Sequence, residues 1–381
     1  MRFIKIFRLV LFLWTFSCFA SEALDSISPA RNAASTVFTN QVAFGIEKIS
    51  LDRLAAARIL KRTKPQYLTP NMLSQNDSLY AAQDENFYTP IPAGKPKQMA
   101  AREKMSFWAT GFGNFLSMDT QHANPKITDI ASGAILGFDF YGYKNGVFSL
   151  SGGYIHNDIT EKLQMGNGDS NGAEFSLYGF GYLGNGYIEG GLLGEYNRFT
   201  MKRHIGFDGS IPVCACTKAS FNNWMMMPHF GGGYDWVTDW GFIEPFASID
   251  WAISFQKTYK EKGGAPFSVK VKHQTPSILR TQLGVNFYET WESPQHTLIF
   301  EQSASYINET FFNTKMRYSF LVSSSSFSAF TYDRTMNLGS IGAEIFYKHK
   351  RTGFFLSATY LGEFGTLYMS NAMTGTLGVF F

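Results

Sequence analysis

The feature that most constrains the fold is a set of long runs in which apolar and polar residues alternate. The clearest run is FIEPFASIDWAISF, residues 242–255. One face carries Ile243, Ala247, Ile249, Trp251, Ile253 and Phe255, and the other carries Glu244, Ser248, Asp250, Ala252 and Ser254. A two-residue period is that of a β-strand. Runs of about ten residues or more are longer than the usual strand of a globular sheet and match a tilted bilayer span.

The remainder of the chain extends this pattern into a barrel. From Met105 onward we count about 12 candidate strands, separated by glycine-containing breaks. Short connections such as GNG (184–186) alternate with long ones such as 156–172, 200–220, 257–274 and 308–336. A soluble sandwich or barrel would also alternate, but long strands with short turns at one end and long loops at the other are typical of outer-membrane barrels. The predicted fold class is therefore all-β, a 12-stranded antiparallel transmembrane β-barrel over residues 105–381.

The first 23 residues read as a secretory signal peptide. Arg2, Lys5 and Arg8 form a basic start, an apolar stretch follows, and small residues allow cleavage after Ala20 or Ala23. The alternative of a lipoprotein anchored at Cys18 depends on TFSC, which is a poor lipobox. No other stretch has the roughly 18 apolar residues of a spanning helix, so a membrane form of the mature chain has to be a barrel.

Residues 24–104 have a different composition. The segment from about 36 to 62 is the best helix candidate, because LDRLAAARILKR is rich in helix formers and ends in basic residues. Thr36 is a suitable N-cap for it. The stretch from 63 to 104 is polar and contains several prolines, which predicts an extended linker.

The chain ends in LGVFF, with no polar tail. Alternation places Phe381, Val379, Leu377 and Met373 on one face of a last strand, with Gly375 between them. This face is predicted to contact lipid, with Phe381 at the membrane boundary.

The opposite faces of the strands are predicted to line a polar interior. The charged residues assigned to this lumen are Glu189, Glu195, Glu244, Asp250, Arg280 and Glu344. Such an arrangement keeps charge away from the hydrocarbon core of the bilayer. Gln302 falls on the outward face by the same count, which predicts either a β-bulge in that strand or a shifted register.

The sequence indicates no catalytic, metal or cofactor site. Cys214 and Cys216 form CAC in a long loop, where they can pair with each other, pair with another chain or remain inert, and a lone C-x-C supplies too few metal ligands. GDSNG (168–172) contains the Gly-Asp-Ser of some esterases but reads as a turn. His156 beside Asp158 is the one pair that invites inspection.

A net charge of +3 argues for no polyanionic partner, so no nucleic-acid ligand is expected, and basic runs such as KHKR (348–351) read as solvated ends.

Several segments together resemble the translocator domain of autotransporters, the type V secretion proteins. MSFWATGFGNF resembles its first strand, SGAILGFDFYGYKNGVFSLSGGY its second hairpin, and FSLYGFGYLGNGYIEGGLLGEYNRF its fourth and fifth strands. ILRTQLGVNF, the terminal TGTLGVFF and the upstream order of helix, linker and barrel also fit. Each motif is weak alone; their order and spacing carry the resemblance.

The resemblance implies a barrel in the outer membrane of a Gram-negative-type bacterium, with the N-terminal helix in its lumen and no enzymatic activity. It also implies that Phe381, Val379 and Leu377 form a signal for the barrel assembly machinery, and that outer-membrane lipid surrounds the strands. The family usually carries a secreted passenger, but only a dozen or so residues separate the signal from Thr36, so little or no passenger is expected. A stand-alone porin, or a surface-interaction barrel that binds a partner through its long loops, is the alternative. A membrane hydrolase is a third hypothesis.

Overall fold

The computed structural model describes residues 43–44, 104–119, 126–141, 146–161, 166–205, 215–238, 241–265, 267–322, 326–330 and 335–381. Seventeen strands lie in these ranges. In chain order they are β1 Met105–Met118, β2 Ile127–Tyr141, β3 Gly146–Glu161, β4 Gly166–Leu183, β5 Gly186–Ile205, β6 Ala215–Tyr234, β7 Trp236–Thr238, β8 Gly241–Gln256, β9 Tyr259–Lys260, β10 Val269–Val271, β11 Ser277–Glu292, β12 His296–Phe312, β13 Lys315–Phe320, β14 Ser326–Phe330, β15 Thr335–His349, β16 Phe354–Gly365 and β17 Tyr368–Phe380.

Twelve of these strands form one closed antiparallel barrel. Its order is β1, β2, β3, β4, β5, β6, β8, β11, β12, β15, β16 and β17, and β17 pairs with β1 to complete the ring. The short strand β7 extends the hairpin that leads into β8. The predicted fold class is confirmed, since number, direction and closure all agree. Closure matters because it leaves no strand edge and satisfies the backbone groups of every strand within the sheet.

Among the described residues there is no helix long and apolar enough to cross a bilayer.

The two ends of the barrel differ. Both termini of the barrel lie at one end, the turn end, together with the tight connection at Gly184 and the turn at 350–353. Gly353 has a φ of +70° there, and a side chain would collide with the carbonyl oxygen of Phe380, so this turn requires glycine. The opposite end, the loop end, carries the connections after β1, β3, β5, β8, β12 and β16.

Side chains alternate between the outer and inner faces of the wall. Large apolar residues such as Ile249, Trp251 and Phe255 are exposed outside, and the charged residues of the same strand are buried inside. Tyr196 and Trp224 are outward neighbours on β5 and β6, with ring centroids 4.6 Å apart. Such aromatic residues mark the interfacial girdle of membrane barrels.

Gln302 is exposed on the outer face, but neither predicted explanation for it is correct. The pairing of β11 with β12 runs without interruption from Ser277 with Phe312 to Glu292 with Thr297, so the strand has no bulge and its register is regular. Gln302 is simply a polar residue on the outer surface, between Phe287 and Ala343 on the neighbouring strands.

The long loops predicted after β3 and β5 are largely strand. β3 continues to Glu161 and β4 begins at Gly166, while β5 and β6 each have 20 residues. GDSNG is therefore part of β4 and not a turn. Its glycines are explained by the wall, because a side chain at Gly168 or Gly172 would collide with Met201 or Asn197 on β5.

The two longest connections build a second, four-stranded sheet at the loop end, which we call the cap. Its order is β14, β13, β10 and β9, and it joins the β8–β11 connection to the β12–β15 connection. Backbone hydrogen bonds link it to the wall, from Lys218 N to Lys262 O at 2.9 Å and from Lys262 N to Lys218 O at 2.8 Å. Tyr259, Val269, Val271 and Met316 are buried on its inner side.

Candidate functional site: the lumen and the cap

The inner face of the barrel is strongly acidic. Each carboxylate that the sequence assigned to the lumen, Glu189, Glu195, Glu244, Asp250 and Glu344, is buried on a strand whose outward residues are apolar. Further buried carboxylates are Asp129, Asp139, Glu161, Glu174, Glu261, Glu301, Glu309 and Glu363. The buried cations of the described residues are Arg203, Arg280 and Lys348.

Two pairs of these carboxylates lie directly opposite each other on adjacent strands. Glu174 of β4 faces Glu195 of β5, and Glu301 of β12 faces Glu344 of β15. Like charges in such positions destabilise a sheet. The lumen is thus suited to a cationic occupant.

Glu244 is held by a polar cluster toward the turn end. Its Oε1 accepts hydrogen bonds from Tyr187 Oη at 2.9 Å, Asn286 Nδ2 at 3.0 Å and Tyr288 Oη at 3.3 Å. These donors come from two other strands, β5 and β11, so the carboxylate on β8 links three strands of the wall.

His229 of β6 connects two of the predicted residues. Its Nδ1 lies 2.5 Å from Asp250 Oδ1, and its Nε2 lies 3.8 Å from Glu189 Oε1. The ring packs near Tyr178, with centroids 6.3 Å apart. The sequence offered no reason to single out His229, because its contacts arise only when β5, β6 and β8 are adjacent.

Arg280 is the cation around which the loop end of the lumen is organised. Its guanidinium hydrogen-bonds Glu363 of β16 and lies 3.6 Å from Glu309 of β12. On its other side it lies 4.6 Å from the ring centroid of Phe44, within the range of a cation–π contact. Both carboxylate partners were missed from the sequence, since they are about 30 and 80 residues away from Arg280.

Phe44 belongs to the predicted helix 36–62. Ala43 and Phe44 have helical backbone geometry and are buried. The other residues of that helix and the linker 63–103 lie outside the described residues, as do the signal peptide and Cys18. The contact with Arg280 places Phe44 inside the barrel.

The cap is anchored to the lumen side of β5 and β6. Arg203 and Glu261 form a buried pair through Nε and Oε1 at 3.1 Å and through an Nη and Oε2 at 2.6 Å. The rings of Phe199, Phe221 and Tyr259 form a stack, with centroids 5.1 Å and 4.4 Å apart. Burial raises the pKa of Tyr318 on β13, and the nearby charge of Arg203 opposes that shift. The buried side of the cap therefore faces the same way as the lumen side of the wall at this end.

The last strand has two faces. Phe381 and Leu377 are exposed on the outer side with Val379 between them, whereas Phe380 is buried inside. The Phe380 ring lies 4.8 Å from that of Phe355 and 4.0 Å from Lys348 Nζ. Lys348 is thus an inward, buried residue, and the prediction of a solvated end is wrong for it because it faces the aromatic end of β17.

The cysteines, Ser170 and His156 are the residues that the sequence suggested for covalent or catalytic chemistry. Cys216 is an exposed free thiol on β6, and Cys214 lies outside the described residues, so their pairing stays a prediction. Ser170 is buried and accepts a hydrogen bond from Asn157 Nδ2 at 2.7 Å. His156 Nδ1 lies 3.1 Å from Asn171 Oδ1 on the outer surface. Within the described ranges, no cluster of three or more His, Cys, Asp or Glu residues has metal-binding geometry.

Comparison with known proteins relates this architecture to one family. The sequence model of the autotransporter β-domain matches residues 107–360. The translocator domain of the autotransporter NalP from Neisseria meningitidis has a TM-score of 0.57 at 13% identity, covering 81% of this chain and 94% of that one. The β-domain of the Bordetella autotransporter BrkA has a TM-score of 0.54 at 15% identity, covering 73% and 100%. No curated protein sequence matches the chain. The solved structures agree in fold, and the match of the family model over most of the barrel shows that this chain belongs to the autotransporter β-domain family, the translocator barrels of the Gram-negative outer membrane.

Proposed function

We propose that the barrel holds residues 36–62 of its own chain in the lumen, and that it serves as an anchored translocator and not as an open diffusion channel or an enzyme. The observation that carries the proposal is the position of Phe44, which is buried inside the barrel and lies against Arg280.

The charges of the two partners support this arrangement. The segment 36–62 contains Lys48, Arg53, Arg58, Lys61 and Arg62 but only Glu47 and Asp52 as acids. The facing carboxylates of the lumen repel each other less when a cationic segment lies between them. A helix of about 27 residues is roughly 40 Å long, which is sufficient to cross a hydrocarbon core of about 30 Å.

The outer-membrane alternative is a porin, which would need an open lumen. The cap argues against that role, because the stack of Phe199, Phe221 and Tyr259 occupies the inner side of the wall at the loop end. The hydrolase alternative depended mainly on the Gly-Asp-Ser motif, and Ser170 of that motif is buried within β4, where a substrate does not reach it. An esterase assay on the purified barrel tests this part of the proposal, and turnover above that of a Ser170→Ala variant would contradict it.

Recordings in planar bilayers test the occupied lumen. The intact protein should show small conductance, and deletion of residues 36–62 should raise it several-fold. A deletion of equal length in the linker, residues 66–92, is the matched control and should leave conductance small. Equal, large conductance in the intact protein and in both deletions would mean that the lumen is open and would favour the porin.

The proposal includes two kinds of partner. Outer-membrane lipid surrounds the apolar outer face, and the barrel assembly machinery recognises the last strand through Phe381, Val379 and Leu377. The outward position of all three residues supports this recognition, because an assembly factor reaches the outer edge of a strand before the barrel closes.

A further inference from the structure

The outer side of the cap and the adjoining wall carry six lysines on one continuous surface. We call it the lysine face, and it consists of Lys202, Lys218, Lys260, Lys262, Lys270 and Lys272. Their neighbours in sequence, Arg203, Glu261, Val269 and Val271 among them, point inward and are buried. Because side chains alternate between the two faces of a strand, the inner side carries apolar residues and the pair of Arg203 and Glu261, and the outer side carries the lysine ammonium groups.

The surface is continuous because its strands are hydrogen-bonded neighbours. Lys202 of β5 pairs with Lys218 of β6, and Lys218 pairs with Lys262 at the cap. Within the cap, Lys260 of β9 pairs with Lys270 of β10. Neighbouring strands are about 4.8 Å apart and alternate residues of one strand about 7 Å apart, so the ammonium groups stand on a dense grid.

Within the described ranges, no carboxylate neutralises this grid through an ion pair, as a purely structural role would need. Lysines directly opposite each other on a sheet repel. Ion pairs between described residues are formed by Lys126, Arg203, His229, Arg280 and Lys350, among others, and none of those seen involves a member of the lysine face. Arg317 of β13 lies beside Lys272, since the backbone N–H of Lys272 donates a hydrogen bond to the carbonyl oxygen of Arg317. The Arg317 side chain is exposed and adds a further positive charge.

The overall net charge of +3 conceals this feature. The acidic lumen and the basic outer surface cancel in the sum, although they face different compartments. The net charge is therefore no guide to whether a polyanion binds, because the positive charges are gathered on one surface.

The lysine face stands above the membrane surface. Lys218 lies six residues beyond Trp224, the outward aromatic residue at the girdle, which corresponds to about 20 Å along the strand and about 15 Å in height at the usual tilt. The headgroup region is only about 5–7 Å thick on each side. Most of these lysines therefore stand too far above the membrane surface to contact lipid phosphates. This position favours an extended ligand outside the headgroup region.

We propose that the lysine face binds an extended anionic polysaccharide, a glycan chain that carries sulfate, phosphate or carboxylate groups. Lysine supplies compact charges with several donors, which suit closely spaced anionic groups. Single-stranded nucleic acid is a poorer fit, because its binding surfaces place aromatic side chains between the basic ones, and the aromatic residue of β9, Tyr259, points inward. This inference does not depend on the occupied lumen or on translocation.

Binding of the folded full-length protein to immobilised heparin and to dextran sulfate tests the proposal, with uncharged dextran as the ligand control. We expect retention at about 0.1 M salt that is lost as salt is raised, because screening weakens such contacts. The triple variant K218Q/K262Q/K270Q should bind about tenfold more weakly or worse. The matched control K126Q/R351Q removes two exposed cations elsewhere and should bind like the wild type.

Heat-modifiable gel mobility shows whether each variant is folded, and the single variants K218Q and K262Q replace the triple variant if it is not. Failure of the wild type to bind at low salt, or equal binding by wild type and triple variant, would overturn the proposal. So would tighter binding to single-stranded DNA, or to vesicles containing phosphatidylglycerol, than to both sulfated glycans.

Discussion

Phe380 and Phe381 are adjacent in sequence but have opposite roles. Phe380 is only 5% exposed and packs against Phe355 and Lys348, whereas Phe381 is 55% exposed on the outer face. Replacing a buried Phe by Ala costs about 3–5 kcal/mol. We therefore expect Phe380→Ala to lower the free energy of unfolding of the assembled barrel by that amount, measured by urea titration of the refolded protein in detergent or lipid.

The matched change at the next position should separate stability from assembly. Phe381→Ala should leave the unfolding midpoint nearly unchanged, because its ring contacts lipid and not the interior. Phe381→Asp should instead reduce the amount of barrel that reaches the outer membrane in cells. Similar unfolding midpoints for Phe380→Ala and Phe381→Ala would contradict this division of roles, and a normal membrane yield for Phe381→Asp would contradict the assembly signal.

At the scale of elements, the cap is held to the wall by the buried pair of Arg203 and Glu261. Removal of one partner of a buried ion pair costs about 3–5 kcal/mol. Because the pair joins the cap to the wall and not one barrel strand to the next, we expect Arg203→Ala to loosen the cap while the barrel stays intact. Limited proteolysis within residues 257–276 should become much faster, with unchanged heat-modifiable mobility.

A double variant provides the control for this prediction. R203M/E261M replaces both charges with apolar side chains of comparable size, and such replacement is often neutral or stabilising. Cleavage of the cap should then return toward the wild-type rate. Equal resistance of Arg203→Ala and the wild type would mean that the stacked aromatic rings alone hold the cap.

The sequence predicts elements of this protein well where the period is local and poorly where contacts are distant. Strand β8 and the two faces of β17 follow from two-residue alternation, as do the strand number and the closed barrel. The cap does not follow, because β9 and β10 have only two and three residues, and β10 pairs with β13, about 50 residues later in the chain. The partners of Arg280 and the inward position of Lys348 depend in the same way on which strands become neighbours.

At the scale of the whole molecule, the two ends of the barrel differ, and this difference predicts its orientation in the membrane. Both barrel termini and the tight turns lie at one end, and the cap and the projecting ends of strands β3 to β6 lie at the other. Outer-membrane barrels place short turns in the periplasm and long connections outside. We therefore expect the cap and Cys216 to face the exterior and Phe381 to face the periplasm.

Thiol labelling of intact cells tests this orientation. Cys216 is exposed at the loop end, so a membrane-impermeant maleimide should label it after mild reduction without opening the outer membrane. Arg351 is exposed in the turn between β15 and β16, and C214S/C216S/R351C moves the thiol to the opposite end. This variant should be labelled only after the outer membrane is permeabilised. Labelling of R351C but not of Cys216 in intact cells would invert the barrel, and the lysine face would then be directed into the periplasm, away from any external glycan.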